Sequence, residues 1–135
     1  MYFGYKRGDD EIKITINGEL PGMNEIIDAN RNNRFAGATQ KREYTEFVAW
    51  ECKRQNVKPI TEKVDLVITW YCKNKRKDKD NISAGTKFIL DGLITAGVLK
   101  NDGWNEIGTI IHKFKVDKDN PRIEVNLVDK YTLNS

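Results

Sequence analysis

Histidine, cysteine, proline and long apolar runs are all scarce in these 135 residues, and each scarcity excludes something. Two cysteines, Cys52 and Cys72, and one histidine, His112, cannot assemble a four-ligand zinc centre. A chain of this length buries roughly two-thirds of the surface it exposes when unfolded, so it forms a core without disulfides or a structural metal. The three residues are therefore expected to be structural. A single histidine also weakens any mechanism built on an imidazole base and leaves Asp, Glu and Lys to carry proton chemistry. No apolar stretch approaches 18 residues, and the opening MYFGYKRGDDEIK has no signal-peptide core. The expectation is a cytoplasmic protein with reduced thiols.

The residues present, 39% hydrophobic and 32% charged, fit one globular domain over residues 1–135. A net charge of +3 does not announce a nucleic-acid partner, but its distribution is uneven. Lys73, Lys75, Arg76, Lys77 and Lys79 fall within seven positions, and Arg31, Arg34, Lys41 and Arg42 form a looser group. Either group alone is more often solvated surface than a phosphate site.

Alternation predicts strands over residues 11–17, where Ile12, Ile14 and Ile16 share a face, and over 63–72. Residues 19–37, rich in Gly and Asn and without a sustained period, predict a long polar loop. A helix is predicted from Thr39 to about Gln55, and another over 82–96, capped by Asp80 or Asn81 and closed by Gly97. Residues 106–116 and 122–128 read as strands around the turn signal DKDNP, forming a terminal hairpin or a neighbouring pair. The order β-α-β-α-β-β indicates an α+β domain with helices packed on a sheet.

The segment KRKDKDN is the most informative. Asp78 and Asp80, two apart beside a helix start, suit a hard divalent cation such as Mg²⁺, while the surrounding cations suit phosphate. That combination belongs to phosphodiester hydrolysis. The same letters also serve as helix-capping chemistry, and Lys87 with Asp91 also reads as an ordinary exposed i,i+4 pair.

Residues 75–107 resemble the core of the RusA-type Holliday junction resolvases. In that family a basic run leads into Asp-x-Asp-Asn, matched here by Asp78, Asp80 and Asn81. A lysine four residues before an aspartate is matched by Lys87 and Asp91, and an aspartate after Ala-Gly is matched by Asp102. Pro21-Gly-Met-Asn24 resembles the family's early Pro-x-x-Asn, and three extra residues separate Asn81 from Lys87. The resemblance implies a homodimeric, Mg²⁺-dependent endonuclease, with Mn²⁺ as a possible substitute, acting on branched DNA at four-way junctions. It implies that Asp78, Asp80 and Asp102 hold the metal, that Lys87 stabilises the attacked phosphate or departing oxygen, and that Asn81 supports the carboxylates. Lys73, Lys75, Arg76, Lys77 and Lys79, with Arg31, Arg34, Lys41 and Arg42, are then expected to bind DNA phosphates.

Helical geometry refines these expectations. Asp91 stands about 16 Å along a continuous helix from Asp80, too far to share an ion, so it is expected to orient Lys87 or to pack at an interface. Residues 97–102 span at most about 20 Å, so Asp102 reaches Asp80 only by running straight back along the helix; otherwise it could complete the other subunit's site. Phe35 and Trp104 could stack on unpaired bases, but packing is the expectation. Two other readings stay open: a non-catalytic branched-DNA-binding protein of the same fold, and a nuclease of flaps, forks or single strands.

Overall fold

Ile14 and Ile16 point inward from β1 (Ile12–Asn17) while Lys13, Thr15 and Asn17 point outward, as the alternation requires. The computed structural model describes residues 12–128, so Glu11, where the predicted strand begins, lies outside them. There follow α1 (Met23–Asn32), α2 (Arg34–Arg54), β2 (Val64–Cys72), α3 (Lys79–Ser83), α4 (Thr86–Thr95), β3 (Ile107–Val116) and β4 (Arg122–Val128). The result is a mixed α/β arrangement in which α2 and α4 pack on one another and cover the sheet, burying Val48, Cys52, Phe88, Ile89 and Leu93 with Leu66, Ile68, Val125 and Leu127. Among the described residues no helix is long and apolar enough to cross a membrane.

Three expectations are corrected. Residues 19–37 are not a long loop: α1 and the first turn of α2 occupy most of them. α1 buries none of its residues fully: its short apolar face, Met23, Ile26 and Ile27, is interrupted by Asn and Asp and flanked by Gly and Asn, and Ile26 rests against the core. The helix predicted over 82–96 is two helices, and Asp78 rather than Asp80 or Asn81 stands at the first N-cap position. The break falls at Gly85, where the Thr86 hydroxyl donates to the Ser83 carbonyl at 2.6 Å; a hydroxyl that turns back on the chain and a glycine both weaken a helix. Asp80 and Lys87 consequently belong to different helices, whereas Gly97, at φ +78, closes the segment as expected.

The last two strands are neither a hairpin nor neighbours, because β2 lies between them. The sheet order is β1-β4-β2-β3, with β4 antiparallel to β1 and β2, and β3 parallel to β2. A parallel neighbour requires a crossover, and α3 and α4 supply it by returning the chain to the start of β2. Residues 117–121 then pass over the end of β2, where the Asp117 amide donates to the Cys72 carbonyl at 2.8 Å.

The outer edge of β1 is tied to α2. The Thr15 amide donates to Gln55 Oε1 at 3.0 Å, and Gln55 Nε2 donates to the Thr15 carbonyl at 2.7 Å, so the side-chain amide stands in for a neighbouring strand. Buried Glu51 accepts from the Asn17 amide and side chain, each at 3.3 Å, and from Arg54 and Gln55.

Candidate active site

Past Cys72 the chain leaves the sheet through the basic run. Asn74 Oδ1 accepts the Arg76 amide at 3.0 Å, an Asx turn that bends the segment toward α3. Asp78 has extended backbone at the N-cap position of α3, yet its side chain makes no capping bond. Asp80 Oδ1 accepts the Asn81 amide at 2.9 Å. Both carboxylates are exposed, and neither forms an ion pair among the described residues despite the lysines around them. They open into a cleft of about 860 Å³ lined by Lys75, Lys77 and Lys79 and walled by Ile82, Phe114 and Val116.

The cleft is braced from a distant part of the chain. The Asn24 amide donates to Asn81 Oδ1 at 3.2 Å, and a Cβ on Gly22 would fall on the Asn81 side chain, so the approach requires glycine. The Gly22 amide donates to Glu25 Oε1 at 2.7 Å, and Lys77 Nζ lies 3.0 Å from the same oxygen. The hydrogen bond from Lys77 holds the Glu25 carboxyl below its ordinary range. The Pro21-x-x-Asn24 and Asp-x-Asp-Asn segments thus form one assembly. Glu25 was not among the residues the sequence singled out; its signal is the three-residue spacing from Gly22, which matches a capping box.

Other candidates lie elsewhere. Lys87 is on α4, its Nζ 5.9 Å from the Phe88 ring centroid, and does not line the cleft. Asp91 meets Lys41 of α2 at 4.0 Å. Arg31 and Arg34 are exposed where α1 meets α2, and Arg42 shares the outer α2–α4 groove with Lys41. Asp102 precedes a turn in which the Ile107 amide donates to the Gly103 carbonyl at 3.0 Å, fixing it beside the first residue of β3. Val64 pairs with Ile107 and Cys72 with Val116, so Asp102 and the Asp78–Asp80 cleft lie beyond opposite ends of β2, a strand that itself rises about 26 Å from Val64 to Cys72. Among the described residues no three His, Cys, Asp or Glu side chains gather as a metal site.

Packing does not account for Phe35 and Trp104, which are 78% and 92% exposed, contrary to expectation. His112 is structural as expected: Trp70 Nε1 donates to its Nδ1 at 3.0 Å, and burial lowers its pKa, favouring the neutral ring that this bond needs. Cys52 is equally inert, since burial pushes its thiol up to about 11.

Two exposed carboxylates of hard oxygen donors fit Mg²⁺, which is ordinarily held by one or two carboxylates and keeps several waters. The flanking ammonium groups fit a phosphodiester. The family model for endodeoxyribonuclease RusA matches residues 21–128 of the chain. No curated protein matches it.

Proposed function

Because the chain belongs to the RusA endodeoxyribonuclease family, metal-dependent nucleases that resolve Holliday junctions, we propose that Asp78 and Asp80 form the metal-binding core of its active site, with Mg²⁺ as the cation and Mn²⁺ as a substitute. What carries this reading is the pair of exposed carboxylates that the surrounding lysines leave unpaired. A divalent cation bound there supplies Lewis acidity toward a phosphoryl oxygen and favours ionisation of the attacking water. The chain's own residues do the rest. Lys75 and Lys79 meet the negative phosphate in the cleft, and Lys87, on α4 outside it, meets the DNA backbone further along. Asn81, anchored to the start of α1, fixes the turn that carries both carboxylates. Lys73 and Arg76 add phosphate-binding charge beside the cleft, and Arg31, Arg34, Lys41 and Arg42 extend it to the arms of the junction.

Cleavage of a labelled four-way junction with and without Mg²⁺, beside a linear duplex of the same sequence, tests this reading. Paired cuts at the junction alone, dependent on metal, are expected. Binding without cuts under Mg²⁺ or Mn²⁺ would select a non-catalytic junction-binding protein, and equal cutting of the duplex would replace the substrate.

The third carboxylate, Asp102, comes in this proposal from a second copy. Two chains related by a two-fold axis and running antiparallel set the Asp102 end of each beside the Asp78–Asp80 end of the other, giving two matched sites for two cuts. Mixed subunits test the arrangement. Asp80→Asn and Asp102→Asn homodimers are each expected to be inactive, while their heterodimer regains one intact site and nicks the junction. Sites built within single chains predict no recovery, since every subunit then carries a lesion. The reciprocal mixture, wild type with the double variant Asp80→Asn/Asp102→Asn, is expected to give inactive heterodimers; one that cuts would place all three carboxylates in one chain.

A further inference from the structure

A second, smaller cavity of about 240 Å³ lies against the active-site cleft and is not used by the chemistry above. Cys72, Asn74, Lys77 and Ile82 line both, so the two are separated only by the bend of the basic run. Its inner wall is apolar, made by Leu20, Trp70, Ile82 and Ile123. Its mouth is charged. Lys73 and Arg76 stand there without an acidic partner among the described residues, since their hydrogen bonds are made through backbone amides. The Arg122 guanidinium, by contrast, is engaged by Asp117 and Glu124 and lies 3.8 Å from the Tyr71 ring centroid. One acceptor is also present: Glu19, whose Oε2 takes the Lys73 amide at 3.1 Å.

Size and chemistry select the occupant. The volume falls below the roughly 300–1,000 Å³ of pockets that enclose drug-sized ligands, so there is room for one flat ring system rather than an extended molecule. An apolar slot with an indole in its wall, free cations at its mouth and one carboxylate at its rim suits a nucleobase with its phosphate. We propose that the cavity holds one base turned out of the stack at the junction crossover, next to the phosphate bound in the Asp78–Asp80 cleft. The inference rests on the resolvase reading above and adds to it a base-reading subsite. Lys73 and Arg76 take the phosphate of the extruded nucleotide. Glu19 accepts from an exocyclic amino group, which cytosine, adenine and guanine carry and thymine lacks.

Thiol footprinting tests it without requiring catalysis. Cys72 lines both the cavity and the cleft and Cys52 is sealed in the core, so alkylation of Cys72 by iodoacetamide in the absence of Mg²⁺ reports occupancy of either, and removal of single bases separates the two. An intact four-way junction is expected to protect Cys72. A single abasic site stepped through the crossover is expected to restore labelling at one position and to weaken binding there by about 5- to 100-fold. At that position wild type disfavours thymine, and Glu19→Gln, an exposed change away from the core, is expected to erase the preference. Protection indifferent to every abasic position would overturn the proposal, as would protection by a deoxynucleoside monophosphate equal to that by the junction, which would make this a free-nucleotide site. Metal-dependent resolution that persists without the abasic signature defeats the subsite and leaves the resolvase standing. Failure to bind or cut junctions defeats the resolvase reading itself.

Discussion

Asp80→Asn is expected to lower junction cleavage by roughly 10³-fold or more, the scale set by several kcal/mol of lost transition-state stabilisation at a metal-assisted phosphoryl centre. The substitution is nearly isosteric, and its carbonyl oxygen can still accept the Asn81 amide that Asp80 now accepts at 2.9 Å, so the α3 turn survives. What disappears is one negative charge from a cleft that also presents Lys75, Lys77 and Lys79. Junction affinity measured without divalent metal should therefore hold or tighten, because removing an anion from a cationic surface favours phosphate binding. Lost cutting with retained binding separates a catalytic defect from a folding defect. Cleavage within a few-fold of wild type would remove Asp80 from the active site.

Glu51→Ala is expected to lower folding stability by about 2–3 kcal/mol, measured by urea denaturation. Glu51 is fully buried, and its two oxygens take hydrogen bonds from Asn17, Arg54 and Gln55, joining the end of β1 to the last turns of α2. Alanine leaves the Asn17 amide without this acceptor and opens a space where the carboxylate was. The loss stays below the 3–5 kcal/mol typical of breaking a buried ion pair, because the Arg54 side chain is 45% exposed and water can take over its solvation. Glu51→Gln keeps one accepting oxygen and should lose less. Equal stability of Glu51→Ala and wild type would show that Gln55 alone holds β1 to α2.

The strands were legible because burial on one face writes a period of two into the chain: Ile12, Ile14 and Ile16 in β1 and Ile123, Val125 and Leu127 in β4 need no tertiary information to be recognised. The Asp78–Asp80 pair was legible for a similar reason, being local in sequence and in space. α1 was not, because its short apolar face of Met23, Ile26 and Ile27 lies among Gly and Asn residues that read as loop, and it is held by partners 52 and 57 residues away, Lys77 on Glu25 and Asn81 on Asn24. The turn signal at residues 117–121 announces a reversal but not which neighbour the returning strand takes, so the insertion of β4 between β1 and β2 was beyond its reach. The position of Asp102 follows from that topology and from the parallel pairing of β3, neither of which spacing encodes.

The amide of Gln55 gives the sheet a direction of growth. An open edge strand offers unpaired N–H and C=O groups to any passing strand, and a sheet with two open edges can extend without limit. Here Gln55 occupies the edge of β1 at Thr15 and makes both hydrogen bonds that an added strand would seek there. Among the described residues β3 is the strand at the other end of the sheet. Strand addition is thereby disfavoured on the β1 side, and two copies that met at β3 would each turn a stoppered β1 edge outward. Such an assembly terminates at two: the side chain that fastens α2 to the sheet also acts as a chain terminator against fibre formation.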